Sequence, residues 1–181
     1  MFISFMAAAL LYGLARGGRL GNLMNVQFTA GWLIVGAFLI RFSLGAVSSG
    51  PQDAAWLSTA AQGAAYSALV AAVYLNRRLP GLPTLGIGLG LNGMVIMANG
   101  GRMPVDPAAI EAAGRSDLIE ALAAGKSLTH QLAVEGTQLF WLADIWTWPP
   151  PLPLAAVFSI GDVLIGIGGF VLIQAALRRP R

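Results

Sequence analysis

Long apolar runs dominate this chain and limit it to folds that pack several apolar helices together. The runs lie at about residues 1–15, 28–47, 55–75, 82–98 and 154–177. A helix that crosses a bilayer needs about 20 apolar residues, because the hydrocarbon core is about 30 Å thick. Only 10% of the residues are charged, against about 25% in soluble domains. The sequence therefore predicts an all-α polytopic membrane protein, with five transmembrane helices in a single domain over residues 1–181.

Arginines between the apolar runs predict the orientation of these helices. They fall in alternate connecting segments and after the last run, at Arg16, Arg19, Arg77, Arg78, Arg178, Arg179 and Arg181. Because loops rich in Lys and Arg stay in the cytoplasm, we expect a bacterial inner-membrane protein with its N-terminus outside and its C-terminus in the cytoplasm. The first run has arginines after it rather than before it, which favours a retained helix over a cleaved signal peptide.

Residues 99–153 form the one long segment between runs, and the predicted topology places them outside. Asp106 followed by Pro107 is typical of a helix cap with proline at the first helical position. The pattern predicts two amphipathic helices, at about 108–124 and 127–142, separated at Gly125. Three tryptophans near the end of the segment suit the headgroup layer: Trp141, Trp146 and Trp148. We thus expect an outer cap of short amphipathic helices, with prolines at 149–153 leading back into the membrane and a short outer turn at 48–53.

Small residues predict how the helices pack. Gly86 and Gly90 form a GxxxG pair in the fourth run, and the third run carries alanines at the same spacing, Ala60, Ala64 and Ala68. This spacing lets helix backbones approach closely, either within one bundle or between two copies of the chain. Asn92 and Gln62 are expected to form hydrogen bonds between helices.

Asp162 is an acid within the last apolar run, where a carboxylate is costly and usually pairs, lines a cavity or does chemistry. At helical spacing it shares a face with Ser159, Gly166 and Gly169, so it should point into the bundle. A helix starting near residue 154 would place it about two turns inside the membrane. One interpretation is a structural ion pair with Arg41. Another is an acid pair with Asp144, in which one carboxyl group activates water and the other protonates a carbonyl. A third is the binding of an ion or a ligand.

The segment Asp144-Ile-Trp146, with Phe158-Ser-Ile-Gly-Asp162-Val-Leu-Ile-Gly-Ile-Gly168, resembles the C-terminal part of the type II lipoprotein signal peptidases, which are intramembrane aspartyl peptidases. The resemblance implies that Asp144 and Asp162 are a catalytic pair on the outer side. Ser159 stands where that family has Asn, and Gly161 where it has Ala. The family's Gly-Asn-x-x-Asp-Arg motif has a loose counterpart in Asn99-Gly-Gly-Arg102.

A broader resemblance covers most of the chain. The segments Asn99-Gly-Gly-Arg-Met-Pro-Val105, Leu142-Ala-Asp-Ile145 and Val157-Phe-Ser-Ile-Gly-Asp-Val163 together look like a bacterial family of small membrane proteins of unknown function. This second resemblance supports the multi-pass architecture and implies no activity.

Two further places carry polar candidates. Asn99-Gly-Gly-Arg102 is typical of a helix C-terminal turn, and it could also direct Asn99 and Arg102 at an anionic headgroup or a substrate carbonyl. His130 with Glu135 could bind a metal, but a solvated helix face is the simpler interpretation. With one histidine and no cysteine, disulfide, thiolate-zinc and multi-histidine sites are excluded, and we expect no metal or cofactor.

Two functions from different classes follow. The first is a non-enzymatic membrane component that packs with lipids and with other membrane subunits or a second copy of the chain. The second is a membrane-embedded aspartyl hydrolase that acts at the outer leaflet. A transporter is weakly supported because we find no internal repeat. Nucleic acid is not an expected partner, because the eleven Lys and Arg residues are spread along the chain.

Overall fold

Five long helices contain about half of the described residues. The structure, a computed structural model, describes residues 2–46, 55–150 and 155–178. The long helices are α1 (Phe2–Ala15), α2 (Gly31–Ala46), α3 (Ala55–Leu75), α4 (Leu82–Ala98) and α7 (Ile160–Leu177). The predicted third and fourth runs match α3 and α4. The turn predicted at 48–53, the prolines at 151 and 153, and Arg179 and Arg181 lie outside the described residues.

The long helices are arranged in an arc in the order α1, α7, α4, α3, α2. The last helix in the chain therefore packs between the first and the fourth. At one end of the arc the Arg19 amide donates to the Leu177 carbonyl at 3.1 Å, and the Thr29 amide donates to Asn76 Oδ1 at 2.7 Å. The segments that follow α1, α3 and α7 thus lie at the same end, which we call the arginine end. Asp162 lies toward the opposite end, which we call the outer end after the predicted topology.

Glycines allow the closest helix contact, between α4 and α7. Gly88 lies against Gly161, and Gly81 against Gly168, so each helix contributes two glycines seven residues apart. A Cβ atom added at Gly168 would lie 2.5 Å from the Leu85 backbone nitrogen, so backbone faces backbone along this seam. The predicted Gly86–Gly90 pair is not the seam: Gly86 faces Val73 on α3, and nothing lies within 4 Å of a Cβ at Gly90.

The outer segment is a small mixed cap rather than a pair of helices. Strand β1 (Met103–Val105) leads through α5 (Pro107–Ala112) and α6 (Ser116–Ala123) to β2 (His130–Leu132), which pairs with β1 in parallel. The predicted helix at 127–142 is wrong, because this stretch contains β2 and a 3-10 turn at Phe140–Leu142. The predicted helix at 108–124 is interrupted at Gly114, which has a φ of +68°. The predicted break at Gly125 is confirmed.

A second pair of strands leads the chain into α7. Strand β3 (Trp146–Trp148) pairs with β4 (Ala156–Phe158) in antiparallel register, with Trp146 opposite Phe158. The last apolar run was predicted to be helical from residue 154, but α7 begins at Ile160 because residues 156–158 are used in this pairing. Asp162 consequently lies in the first turn of α7 and not two turns along it.

The surface of the long helices is strongly apolar. All five tryptophans are exposed, as are Phe38, Phe42 and Ile87. Ile160–Leu177 is the one helix in the described ranges that is both long and apolar enough to cross a membrane, and 33% of its residues are buried inside the protein. Three shorter apolar helices accompany it, at Ser4–Ala15, Gly31–Leu44 and Leu82–Ala98.

Candidate functional site

Asp162 is held by the first turn of its own helix. Ser159 is the N-cap of α7, and its hydroxyl accepts a hydrogen bond from the Asp162 amide at 3.0 Å. In return, Asp162 Oδ2 accepts from the Ser159 amide at 3.2 Å. This reciprocal arrangement is a capping box, and a negative charge at this position also interacts favourably with the helix dipole. Part of the reason for an acid here is therefore local and structural.

Asn92 on α4 connects this cap to the rest of the bundle. Its Nδ2 donates to Asp162 Oδ1 at 2.8 Å, and its Oδ1 accepts from the Ser159 hydroxyl at 2.9 Å. Asn92 and Ser159 are both buried. The expectation that Asn92 forms a hydrogen bond between helices is thus confirmed, and its partners are the cap residues of α7.

Gly161 is required for this contact. A Cβ atom at this position would overlap the Asn92 carboxamide and would lie 2.8 Å from the Gly88 carbonyl oxygen. Gly161 therefore leaves Asn92 free to bond both Ser159 and Asp162. An alanine here, as in the signal peptidase pattern, would force the carboxamide away.

Asp144 is positioned by its backbone against strand β1. Its amide donates to the Pro104 carbonyl at 3.1 Å, and its carbonyl accepts from the Asp106 amide at 3.0 Å. Residue 144 thus extends the β1–β2 pair on the free side of β1. Because β3 begins two residues later and pairs with β4, the strands of the outer segment bring Asp144 and Asp162 into the same region.

The Asp144 side chain is unusual because one of its carboxyl oxygens is buried without a hydrogen-bond partner among the described residues. It is only 8% exposed, and its Oδ1 is buried without a donor in the part of the chain that the structure describes. Burial raises the pKa of this carboxyl group well above its ordinary value, and the nearby Asp162 carboxylate raises that pKa further. Two acids thus interact, and the pKa of Asp144 is shifted toward the neutral form.

Arg41 does not form the predicted ion pair with Asp162. Its Nη1 donates to Gln62 Oε1 at 2.6 Å, and its guanidinium lies over the Tyr66 ring, 5.1 Å from the centroid. Within the described residues the ion pair with an N···O distance below 4 Å joins Arg115 and Asp117. The reason is that Asn92 and the cap amide already occupy the Asp162 oxygens. Gln62 forms a hydrogen bond between helices, as predicted.

These polar groups lie at one height in the bundle. Gly93 on α4 faces the Tyr66 ring on α3, where an added Cβ would lie 3.2 Å from Cδ1. Asn92 adjoins Gly93, so the contacts of Arg41 and of Asp162 fall beside each other. We call this set the polar layer; its members are Arg41, Gln62, Tyr66, Asn92, Ser159 and Asp162. It lies six residues, or about 9 Å, inside the outer end of α4 at Ala98.

His130 lies beneath the cap and not on a solvated helix face. It belongs to β2, and its Nδ1 pairs with Thr129 Oγ1 at 2.9 Å. Burial lowers the pKa of His130, the Arg41 charge lowers it further, and the Asp162 charge acts in the opposite direction. His130 is therefore close to the polar layer. In the described ranges no group of three or more His, Cys, Asp or Glu side chains is placed to hold a metal ion.

The two residues predicted to contact a substrate or a headgroup differ in their surroundings. Asn99 is engaged within the fold: its Nδ2 donates to the Val95 and Gln138 carbonyls, and its Oδ1 accepts from the Gln138 amide at 3.0 Å. Gly100 and Gly101 adopt positive φ, as predicted for a helix C-terminal turn. Arg102 has a buried Nε with no acceptor in the described residues. Of Asn99 and Arg102, therefore, Arg102 is the residue with an unused donor.

Sequence reasoning missed the strands that place Asp144 and the role of Ser159 as a cap. The strands have only three residues each, too short for an alternating pattern to stand out. A Ser three residues before an acid was the available signal for the cap.

Comparison with known proteins places the chain among uncharacterised sequences. The sequence profile of a family of unknown function, DUF5317, matches residues 25–174, which include the polar layer and Asp144. An uncharacterized protein of Thermotoga maritima is 32% identical over 97 residues, 53% of this chain and 52% of the relative. The chain thus spans about half the length of the curated relative that it matches. No solved structure matches. The predicted similarity to a family of unknown function is confirmed, and these matches provide no support for the signal peptidase resemblance.

Proposed function

This chain belongs to DUF5317, a family of unknown function, and we propose that it is an integral membrane protein that hydrolyses a peptide bond with Asp144 and Asp162. The hydrolysed bond belongs to a substrate at the outer side of a bacterial cytoplasmic membrane. The exposed surface of the helices supports the membrane location, and the two acids support the hydrolysis.

The distribution of aromatic residues supports a membrane location. Trp32 lies at the start of α2, near the arginine end, and Trp56 lies at the start of α3, near the outer end. Both are exposed, and tryptophan favours the two headgroup layers of a bilayer. Large aliphatic and aromatic side chains are exposed on the helices between them, among them Phe38, Phe42 and Val70, and exposed apolar surface is typical of sites that contact a membrane or another protein.

The arginine end supports the proposed orientation. Arg16, Arg19, Arg77, Arg78 and Arg178 all belong to segments at that end. The positive-inside rule places this end in the cytoplasm. The acid pair would then lie toward the outer surface, beneath the small mixed cap.

The unpartnered carboxyl group of Asp144 is the single observation that carries the catalytic proposal. A buried polar atom without a partner costs free energy, on the order of 1–3 kcal/mol, and such atoms are often retained for function. The raised pKa of Asp144 favours a neutral acid that can donate a proton. The Asp162 carboxylate is held by two N–H donors and keeps lone pairs for a water molecule.

The reaction follows from this division of roles. Asp162 accepts a proton from a water molecule, whose oxygen attacks the carbonyl carbon of the peptide bond. Asp144 donates its proton to the carbonyl oxygen, which gives a neutral gem-diol. Asp162 then gives its proton to the amide nitrogen, and Asp144 takes a proton from a gem-diol hydroxyl. The C–N bond breaks, a carboxylic acid and an amine are released, and both acids return to their starting states. Asn92 and Ser159 are positioning residues, because they orient Asp162 and do not touch the substrate.

A second candidate function is non-enzymatic packing. The capping box favours it, because Asp162 has a complete structural role at the start of α7. In this case the protein is an accessory component that packs with lipids, with other membrane subunits or with a second copy of the chain.

The two candidates differ in what Asp144→Asn does. Asp144 accepts no side-chain hydrogen bond in the described residues, so this variant should fold, yet it cannot supply a proton. Cells that express the wild type or the variant at equal abundance are compared by mass-spectrometric mapping of protein N-termini exposed at the outer face. We expect a set of N-termini that depends on the wild type and falls at least about 100-fold with the variant, as is typical when a general acid is lost.

Asp106→Asn serves as the matched control. Asp106 caps α5 by accepting from the Ala108 amide, and asparagine caps helices equally well. This control removes an acid from the outer segment without touching the acid pair, so it should keep every wild-type cleavage. Identical N-termini in all three strains would reject hydrolysis and leave the packing function.

A further inference from the structure

Arg41 is a cation in a long apolar helix, and no acid among the described residues forms an ion pair with it. Within the described residues its Nη1 donates to Gln62 Oε1. Tyr66 presents its ring face to the guanidinium, and its hydroxyl group also accepts a hydrogen bond from Arg41, so two of the five N–H donors are engaged. Guanidinium groups in a membrane normally pair with a carboxylate or reach a headgroup. No carboxylate of the described residues lies within 4 Å of the Arg41 guanidinium, so its remaining N–H donors can bind a ligand.

Gln62 next to it is also incompletely bonded. This side chain is fully buried, and its Nε2 has no acceptor in the part of the chain that the structure describes. The Gln62 Nε2 group thus lacks an acceptor. A ligand oxygen bound to Arg41 would lie next to this Nε2 group and could accept from it. A buried amide donor without an acceptor, next to a guanidinium with N–H groups beyond the one bonded to Gln62, indicates an oxygen-rich ligand.

Arg102 adds a second cation one helical turn toward the outer end. The Ser58 hydroxyl on α3 donates to the carbonyl of Gly101, the residue before Arg102, at 3.1 Å. Ser58 lies four residues before Gln62, on the same face of α3. The Arg102 side chain makes no ion pair among the described residues, and its Nε is buried without an acceptor. The backbone next to Arg102 therefore contacts the same stripe of α3 that Arg41 contacts through Gln62, and an anion bound by both cations would offset their like charges.

We propose that Arg41 and Arg102 bind the phosphate group of a phospholipid in the outer leaflet. Two guanidinium groups suit a phosphate, since each can form paired hydrogen bonds to its oxygens. Exposed Trp56, at the start of α3, marks the headgroup layer. Gln62 lies seven residues, or about 10 Å, from that start. The phosphate binds between these heights, and its acyl chains lie against the exposed side chains of α2 and α3.

The site rests on the proposed membrane location and not on the acid pair. The test uses the full chain in a maltoside detergent that contains no phosphate, with thermal unfolding as the readout. Dioleoyl phosphatidylglycerol is added to a hundred times its dissociation constant, and dioleoylglycerol, which lacks phosphate, serves as the lipid control. We expect the phospholipid to raise the Tm by about 5–10 °C and dioleoylglycerol to have no such effect.

The variants separate a binding role from a structural one. Arg41→Gln and Arg102→Gln should each lose most of the shift, whereas Arg115→Gln, which removes an exposed cation paired with Asp117, should keep it. Gln62→Glu places a carboxylate beside Arg41 and so fills the site from within. Its Tm without lipid should equal or exceed that of the wild type, and its response to phospholipid should vanish.

Three outcomes would overturn the proposal: a full shift in Arg41→Gln, an equal shift with dioleoylglycerol, or an undiminished shift in Gln62→Glu. An equal shift with millimolar inorganic phosphate would reject the lipid source and assign the site to soluble phosphate. Asp144→Asn should keep the whole phospholipid shift, so a failure of the hydrolase proposal leaves this result unchanged.

Discussion

At the scale of single residues, Asp144 is the group whose environment most opposes its charge. Burial and the neighbouring Asp162 carboxylate both raise its pKa. The folded protein therefore holds a proton on Asp144 over a range of pH in which the unfolded chain has released it. In that range the stability of the folded state must depend on pH.

The first prediction concerns this dependence. The contribution of Asp144 to stability is largest below its ordinary pKa of 3.8 and falls as the pH rises toward the raised pKa, because the folded state binds more protons than the unfolded state. Asp144→Asn removes the cost of ionising this group, so it should raise the Tm at pH 7.5 and flatten the change in Tm between pH 4 and 7.5. Thermal unfolding at both pH values measures the effect.

Asp106→Asn is the control and should leave the wild-type profile in place. His130 acts in the opposite direction, because its lowered pKa makes the folded protein less stable as the pH falls below 6.5. The difference between the variant and the wild type isolates Asp144 from this background. If Asp144→Asn and the wild type show the same pH profile, the carboxyl group is not held neutral.

The residues of the candidate site could be predicted only in part. Asp144 and Asp162 were recognisable because acids among apolar and aromatic residues are costly. The partner of Asp162 could not be predicted, because Asn92 and Arg41 are both polar residues within apolar helices. The register between α4 and α7 places Asn92 beside Asp162, and that register depends on packing between residues 70 positions apart.

At the scale of elements, the glycine seam between α4 and α7 holds the polar layer together. Gly88 against Gly161 allows the two backbones to meet next to Asn92. The sequence indicated close packing at α4, but the GxxxG spacing pointed to Gly86 and Gly90. Which glycines face a partner depends on the crossing of two distant helices, which a local pattern does not contain.

The next prediction tests this seam. A Cβ atom at Gly88 would press on the Gly161 carbonyl and lie 2.9 Å from the Ile165 backbone nitrogen, so the helices would have to separate. Gly88→Ala should cost about 1–3 kcal/mol and lower the Tm by about 3–10 °C. Gly90→Ala is the matched control on the same helix; it meets open space and should keep or raise the Tm, since alanine favours a helix over glycine. Equal losses in the two variants would show that the seam is not the limiting contact.

At the scale of the whole molecule, the five helical segments were predicted well and the outer segment poorly. Long apolar runs determine helices strongly, and α3 and α4 begin and end where they were expected. The outer segment depends on pairing between short strands far apart in sequence, such as β1 with β2. Of its two predicted helices, the one at 108–124 is interrupted and the one at 127–142 is wrong, because amphipathic spacing in a short stretch does not exclude turns and strands.

The last prediction tests the arrangement of the whole chain in a membrane. The chain has no cysteine, so Arg78→Cys and Asp117→Cys each introduce a single labelling site. Arg78 follows α3 at the arginine end, and Asp117 lies on α6 in the outer segment. In intact cells a membrane-impermeant maleimide should label the second variant and should reach the first only after the cells are opened. Labelling of both from the same side would contradict the proposed topology.

The position of α7 between α1 and α4 has a consequence for the biosynthesis of the protein. Helix α1 finds its main neighbour only after α7 has been made, because α1 packs chiefly against α7. Until then Phe5 and Met6 lack the contacts with Gly166 and Gly169 that they make in the folded protein. The helices α2, α3 and α4 can assemble earlier, in the order of synthesis. A chain truncated before residue 160 would therefore leave α1 without its main neighbour, and the apolar face that α1 packs against α7 would stay uncovered.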